Sequence, residues 1–507
     1  MELYEEKKQC YGCGACAQIC PKNAIVMTED AEGFLYPWID EKMCVNCGKC
    51  ARVCQIGRGQ VQSVQKENVP KTFAVYHQDE SVRLNSSSGG VFFAIAKHIL
   101  SLNGAVYGAS FDSDFMVRHS RTEVQSGLEA LMKSKYVQSS TGDAFQKVKE
   151  DLLRDSWVLF AGTPCQITGL CGFLENINAE KLICVSVICH GTCSPMVWKR
   201  YLELKKGQYA CEKIVDVNFR GKALGWHDFV MDIKMDKADY QKVHREDLYM
   251  KGFLENLYLR PSCYSCKAKP EAMVCGDIVI GDYWGIEKKI PQLDDNKGTS
   301  CLLLLSEKGQ WIWNCVKKDF EAEESCFEDV YQYNSALLQS VRENPLREKF
   351  FADLKENGTL EESIRANLRQ VSEMDKYIRN YLTVYQYLYS LLEGESVGKI
   401  LQKKGWNHIV LYGVTDLLEL FYKDKSLEEN DIVISCICDR AYRKYEKRFA
   451  PVKVVGLEGL KNEMGKASVC VVCNLIRQKE IVADLLEIGI PEEKIVSMEE
   501  LITGRDR

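Results

Sequence analysis

No stretch of this chain approaches the roughly 20 consecutive apolar residues that a helix needs to cross a bilayer. A polybasic block is also missing, so nothing marks a membrane-surface role. Basic residues are the minority among charges, 66 Lys and Arg against 72 Asp and Glu for a formal net charge of −6, and nucleic acid is not an expected partner. The first residues, Met1-Glu-Leu-Tyr-Glu-Glu-Lys-Lys8, lack the apolar centre of a secretion signal, so a cytoplasmic location is expected. Thiols stay reduced in that compartment, and the 24 cysteines among 507 residues are read as metal ligands and free thiols rather than disulfides. The length suggests about three domains.

Eight cysteines form two copies of C-x2-C-x2-C-x3-C: Cys10, Cys13, Cys16 and Cys20, followed by Pro21, then Cys44, Cys47, Cys50 and Cys54. This is the ligand spacing of bacterial ferredoxins that carry two [4Fe-4S] clusters. Three thiolates on a tight loop wrap three irons, and the fourth, set back by three residues, turns toward the neighbouring cluster. The expected ligand sets are therefore Cys10, Cys13, Cys16 with Cys54, and Cys44, Cys47, Cys50 with Cys20. Gly12, Gly14 and Gly48 let the loops fold closely and turn amides toward sulfide. Gln55 stands where the pattern usually has proline. Two zinc sites are the alternative, but zinc needs neither the spacing progression nor its duplication.

Residues 1–58 are expected to form this ferredoxin-like unit, with a hairpin at Gly33–Trp38, and a polar linker begins at Gly57. Residues 71–345 alternate β-branched runs with helix-period segments. Strands are expected at 72–76, 105–111, 157–161, 182–188, 214–219, 229–233, 277–280 and 301–305. Helices are expected at 91–102, 125–133, 143–154 and 195–204, with another starting at Pro164. Residues 346–400 read as a charged helical linker in which Tyr377, Tyr381, Tyr385 and Tyr389 form a packing stripe. Residues 401–507 read as a Rossmann-like α/β domain with strands at 408–413, 431–435, 468–472 and 494–497. Its first turn, Gly413-Val-Thr415-Asp-Leu-Leu418, lacks the second glycine of the dinucleotide fingerprint, which disfavours a nucleotide there. Cys436, Cys438, Cys470 and Cys473 read as small apolar strand residues. The expected fold class is multidomain, α+β and α/β.

Within the middle domain, Asn85-Ser-Ser-Ser-Gly89-Gly90 leads into a helix and offers hydroxyls and backbone N–H groups, a seat for phosphate. Serine and glycine are equally ordinary in caps and turns. Cys165 and Cys189 follow neighbouring strands, and Cys263 and Cys266 form a C-x2-C pair. A helix N-terminus at Cys165 is expected to favour its thiolate. Spacing alone leaves open a third cluster, a zinc site on Cys263 and Cys266, or inert thiols.

Six ordered segments, Ser86-Ser-Ser-Gly-Gly-Val-Phe92, Phe160-Ala-Gly-Thr-Pro-Cys-Gln-Ile167, Cys189-His-Gly-Thr-Cys-Ser-Pro195, Arg260-Pro-Ser-Cys-Tyr-Ser-Cys266, Asp277-Ile-Val-Ile-Gly-Asp-Tyr-Trp-Gly285 and Lys297-Gly-Thr-Ser300, closely resemble the beta-subunit family of coenzyme F-420 hydrogenases and dehydrogenases. The resemblance covers roughly residues 1–345. It implies a flavoprotein in which FAD lies beside a cubane cluster and passes hydride to a conjugated acceptor, a deazaflavin in the archaeal enzymes. It further implies that Ser87, Ser88, Gly89 and Gly90 hold FAD phosphate or ribityl groups and that Lys297, Gly298, Thr299 and Ser300 line the flavin. Cys165, Cys189, Cys263 and Cys266 would ligate a third cluster, with Cys193 and Cys275 as spares. His190 is a candidate proton donor or a hydrogen-bonding support for the cluster. Asp277, Asp282 and Trp284 either fix the loop beside the flavin or cap and pack a strand.

Clusters carry single electrons and a flavin stores two. The expected function is an iron–sulfur flavoprotein oxidoreductase, passing electrons from ferredoxin or a partner subunit through [4Fe-4S] clusters to FAD and a small-molecule acceptor. The alternative is an electron-transfer subunit whose catalytic site lies on a partner chain. A homo-oligomer is compatible with either.

Overall fold

The computed structural model describes residues 3–56, 69–356, 358–368, 381, 383–385, 387, 388, 396–475 and 477–503. The chain divides into two compact units, Met1–Leu368 and Arg369–Arg507. Residues 57–68 of the expected polar linker lie outside the described residues, as do Tyr377 and Tyr389.

The first unit opens with a hairpin of β1 (Ile25–Glu29) and β2 (Leu35–Ile39) between the two cysteine loops. The sequence places a hairpin here, but Gly33–Trp38 supplies only the end of the turn and the second strand. Gly33 is left-handed, and a β-carbon there would collide with Met196, so the turn packs against the helix Pro195–Tyr209.

The strands that follow are β3 (Lys71–His77), β4 (Ala105–Phe111), β5 (Val117–Thr122), β6 (Val158–Gly162), β7 (Leu182–Val187), β8 (Ile214–Gly221), β9 (Val230–Met235), β10 (Asp239–Val243), β11 (Ile278–Asp282), β12 (Ser300–Leu304) and β13 (Phe320–Ser325). Eight of them form one sheet in the order β13-β3-β12-β11-β7-β6-β4-β5, and β10-β9-β8 form a separate antiparallel sheet. The centre of the large sheet, β4-β6-β7-β11, is parallel. Parallel strands are covered on both faces, which is why they read as near-continuous apolar runs. On β6 and β7, Leu159, Ile183 and Val185 face the helices Val91–Ser101 and Glu307–Val316, whereas Val158, Phe160, Leu182 and Cys184 face Ala144–Leu153 and Pro164–Phe173. Ala15 and Val53 of the cysteine loops join that second layer.

Strands β5, β10 and β13 are not legible in the sequence. All three are sheet edges, and their charged residues, such as Arg118, Lys242 and Glu323, are what keep an edge from pairing with other chains. That same charge erases the apolar signal.

In the second unit, β14 (His408–Tyr412), β15 (Val433–Cys438), β16 (Val454–Val455), β17 (Val469–Val472) and β18 (Ile495–Ser497) form an all-parallel sheet in the order β16-β15-β14-β17-β18. Cys436, Cys438, Cys470 and Cys473 are buried in its apolar layers. The turn after β14 is already filled: the Val414 N–H donates to the Asp439 carboxylate at 2.8 Å, and the Thr415 hydroxyl donates to the Cys473 carbonyl at 3.1 Å. Tyr381 and Tyr385, expected in a packing stripe, are 72% and 58% exposed, while Tyr387 is 1% exposed and donates to Asp424 at 2.8 Å. Among the described residues no helix is long and apolar enough to cross a membrane.

Candidate iron–sulfur and cofactor site

Each cysteine loop begins a short helix directly after a left-handed glycine, Gly14 before Ala15–Gln18 and Gly48 before Lys49–Val53. Each helix carries the loop's last cysteine across to the other loop. Cys10, Cys13, Cys16 and Cys54 consequently surround one small cavity, closed by Tyr4, Met27 and Pro37, and Cys20, Cys44, Cys47 and Cys50 surround a second, closed by Ile25 and Ile39. These are the two quartets the spacing anticipates. Each cavity is lined by four thiols, the soft donor set that iron–sulfur clusters take.

The first loop is pressed against the large sheet's domain. A β-carbon on Gly12 would collide with Gln138 and lie 3.0 Å from the Arg260 guanidinium. The Thr141 hydroxyl donates to the Cys13 carbonyl at 2.9 Å, and Phe145 N–H donates to Gln18 Oε1 at 2.8 Å. Arg260, only 1% exposed, donates from Nε to the Cys10 carbonyl at 2.9 Å, reaches Cys10 Sγ at 3.7 Å from Nη2, and lies 4.0 Å from the Tyr36 ring centroid. Among the described residues its Nη1 is buried with no hydrogen-bond partner, a spare donor at the edge of a thiolate set and therefore one that suits bound sulfide.

Beside this loop the strand ends deliver a third quartet. Cys165 starts the helix after β6, Cys189 follows β7, Cys263 lies within the turn Pro261–Ser265 and Cys266 directly follows it. The four thiols are near enough to repel one another as anions. Burial pushes Cys165 and Cys266 up to about 12, and Cys13 likewise. Desolvation opposes the helix N-terminus at Cys165, and a bound cation would favour the ionised sulfurs. Of the spares, Cys193 is buried in the aromatic core beside Tyr249, and Cys275 is turned toward Cys171 and Cys184.

The first and third quartets are neighbours, Cys13 being near enough to act on Cys165 as an anion. Gly169, four residues after Cys165 on the same helix, would place a β-carbon 3.0 Å from Cys13 Sγ. Gln55 Nε2, one residue past Cys54, donates to the Cys165 carbonyl at 2.7 Å. Gly169→Ala gains helix propensity of about 0.5–1 kcal/mol, but overpacking against a fixed loop costs about 1–3 kcal/mol. A net loss of about 1 kcal/mol in chemical denaturation is expected, and a stability gain would show that the two elements pack loosely.

A cavity of about 280 Å³ opens beside Cys165 and Cys189 of the third quartet. Its floor is the carboxyl end of the parallel strands, Gly162, Val187 and Gly281 with Cys165 and Cys189, the edge of an α/β sheet where ligands bind. Tyr11 and Gly12 of the first loop line it, as do Ser86, Ser87, Ser88 and Gly90 and the loop from Leu131 to Ser139. Gly90 caps the helix Val91–Ser101 without any side-chain cap, leaving the first turn open toward the cavity.

Comparison with known proteins gives two matches to family models. Residues 9–57 match the 4Fe-4S dicluster domain, and residues 155–329 match the family described as the C terminus of the coenzyme F420 hydrogenase/dehydrogenase beta subunit. The chain carries both domains. No curated protein matches it. A solved structure of the F420-reducing [NiFe] hydrogenase complex from Methanosarcina barkeri, in a xenon derivative, includes a chain 14% identical, covering 61% of this chain and 94% of that one at a TM-score of 0.36, a likeness too slight to carry an argument.

Around the beta-subunit domain, the marked residues divide. Ser87, Ser88, Gly90 and Ser300 line the cavity, but Lys297, Gly298, Thr299 and Gly89 lie behind it. Ser87 Oγ accepts from Ser134 N–H at 2.7 Å, and Ser300 Oγ from Gly89 N–H at 2.8 Å. Lys297 pairs with Glu80 at the surface, Gly298 O accepts from Arg83 at 2.8 Å, and the Thr299 hydroxyl donates to Leu293 O at 2.6 Å. Lys222 Nζ ties this layer together through the carbonyls of Arg83, Ser88 and Lys297, and burial lowers its ammonium to about 7. His190 lines the cavity with Nε2 bonded to Asn256 Oδ1 at 2.6 Å, and burial lowers its pKa.

Asp277 is a structural cap, accepting from Cys184 N–H at 2.8 Å and from the Ser306 hydroxyl at 2.6 Å. Asp282 lines the cavity, held by Arg220 at 2.7 and 3.1 Å and by Trp226 Nε1 at 2.9 Å, and Trp284 stacks on Trp226. Sequence reasoning missed Gln55, Gln138, Arg260, His119 and Lys135. Arg260 carried a signal as the first residue of the Arg260-Pro-Ser-Cys263 segment, and Gln55 only as a departure from the proline pattern.

Proposed function

We propose that this chain is an iron–sulfur flavoprotein oxidoreductase, moving electrons between its dicluster domain and a flavin in the 280 Å³ cavity. One observation carries the reading: Tyr11 and Gly12 of the first cysteine loop and Cys165 and Cys189 of the third quartet line the same cavity. Cys20, Cys44, Cys47 and Cys50 would hold the outer cluster, Cys10, Cys13, Cys16 and Cys54 the inner one, and Cys165, Cys189, Cys263 and Cys266 the third. FAD would supply two-electron hydride chemistry and the clusters one-electron transfer.

The residues of the chain have separate roles in this reading. The open first turn after Gly90 and the hydroxyls of Ser87 and Ser88 would bind phosphate or ribityl oxygens. Gly12, Gly162 and Gly281 let the cavity wall pack closely, since a β-carbon at each would meet Gln138, Gln166 or Ile188. His190, with Nε2 committed to Asn256, positions the cavity wall. The outer quartet, where Cys47 is exposed, is the natural meeting point for ferredoxin or a redox partner subunit. The acceptor would be a small conjugated molecule such as a deazaflavin. The second unit, Rossmann-like in strand order, is read as an accessory domain without a dinucleotide, because its first turn spends its donors internally.

Anaerobic purification followed by iron, acid-labile sulfide and flavin assay tests this. About twelve irons and one FAD per chain are expected. About eight irons with no flavin would reject both the third cluster and the flavin.

A further inference from the structure

The side chains lining the cavity are unequal in charge. Its carboxylate, Asp282, is neutralised by the two-pronged contact with Arg220 and by Trp226. Lys133 and Lys135 also line it. Lys135 Nζ is anchored in the wall by the carbonyls of Met132 at 2.6 Å and Lys133 at 3.1 Å. Those two bonds use two of its three donors, its Nζ lies 5.7 Å from the Phe111 ring centroid, and among the described residues no carboxylate forms an ion pair with it, Asp216 acting only from a distance. The loop is fixed in turn: the neighbouring Ser134 N–H donates to Ser87 Oγ, and Tyr136 stacks on Phe253 at 4.6 Å while accepting from Arg220 at 3.1 Å. His119, the next titratable group, is spent on Ser139 at 2.8 Å and Ala161 O at 3.1 Å, and burial lowers its pKa to about 4, which keeps it neutral. A buried ammonium without a paired carboxylate is costly, and burial, with Lys133 beside it, lowers Lys135 to about 7 although Asp216 opposes the shift. An anion in the cavity would relieve that cost.

We propose that Lys135 is the positive charge this cavity offers to the flavin ring, a positioning residue that favours the ring's reduced, anionic form over the oxidised, neutral one. The inference rests on the flavin reading above and adds a residue to it. A fixed cation near the ring is one of the ways a protein tunes a flavin. The effect acts on the equilibrium between two bound states, so it is separable from binding itself.

The test is a spectroelectrochemical titration of the bound flavin in full-length, anaerobically prepared protein, comparing wild type with Lys135→Met and Lys135→Arg. Methionine keeps the volume and removes the charge. It is expected to weaken the hold on the reduced ring at least tenfold relative to the oxidised ring, a fall in midpoint potential of about 30 mV or more for a two-electron couple. Arginine is expected to stay near wild type. An unchanged potential in Lys135→Met with flavin still bound would overturn the inference and leave the flavin reading intact. If Lys135→Met retains no flavin, the arginine variant decides: a wild-type potential supports the charge, and a fall of about 30 mV refutes it. Wild-type protein without flavin would overturn both readings.

Discussion

A Cys263→Ser chain is expected to lose about four of twelve irons and to slow delivery of electrons from the dicluster domain to the flavin by at least about a hundredfold. Serine cannot offer the soft thiolate that iron–sulfide clusters select, and Cys263 is central to its quartet, acting on Cys165, Cys189 and Cys266 alike. The eight N-terminal cysteines are untouched, so about eight irons should remain with ferredoxin-like spectra. The check is iron content with rapid-mixing absorbance of the flavin after reduction of the clusters. Unchanged iron would remove Cys263 from the ligand set, and an unchanged rate would show that electrons bypass the third quartet.

The second large effect is expected from Arg260→Met. Arg260 is buried between the first cysteine loop and the turn that carries Cys263, and it serves the Cys10 carbonyl, Cys10 Sγ and the Tyr36 ring together. Methionine fills much of the space but leaves a buried acceptor without its donor, at a cost of about 1–3 kcal/mol, and removes the cation that faces the thiolates. Loss of the inner cluster, a fall to about eight irons, and a lower denaturation midpoint are expected. Arg260→Lys should not rescue, because a point charge cannot span carbonyl, sulfur and ring as a planar guanidinium does. Full iron loading in the methionine variant would make the arginine a packing residue only.

The parts legible in sequence are those whose cause is local. Spacing within each cysteine loop is a covalent constraint, and it alone foretells the exchange of Cys20 and Cys54 between quartets. The central strands are readable because burial on both faces leaves continuous apolar runs, whereas β5, β10 and β13 hide their nature under edge charges. The residues that join the domains are not legible, since their partners are remote: Gln55 meets Cys165 110 positions away and Arg260 meets Cys10 250 positions away. In sequence Gln55 reads as a mere departure from the proline pattern; in the fold its amide fastens the end of the second loop to the third quartet. Lys135 has no motif around it, because what distinguishes it is the lack of a paired carboxylate among the described residues, a property of the folded cavity.

In the proposed arrangement three clusters in sequence lead to one flavin. Anomalous diffraction at the iron edge from anaerobically grown crystals addresses it directly. The account predicts iron peaks within the quartets Cys10, Cys13, Cys16, Cys54 and Cys20, Cys44, Cys47, Cys50, a third within Cys165, Cys189, Cys263, Cys266, and ring-shaped density between Gly90 and His190. Iron confined to the first two quartets, or a zinc-edge signal at the third, would contradict it.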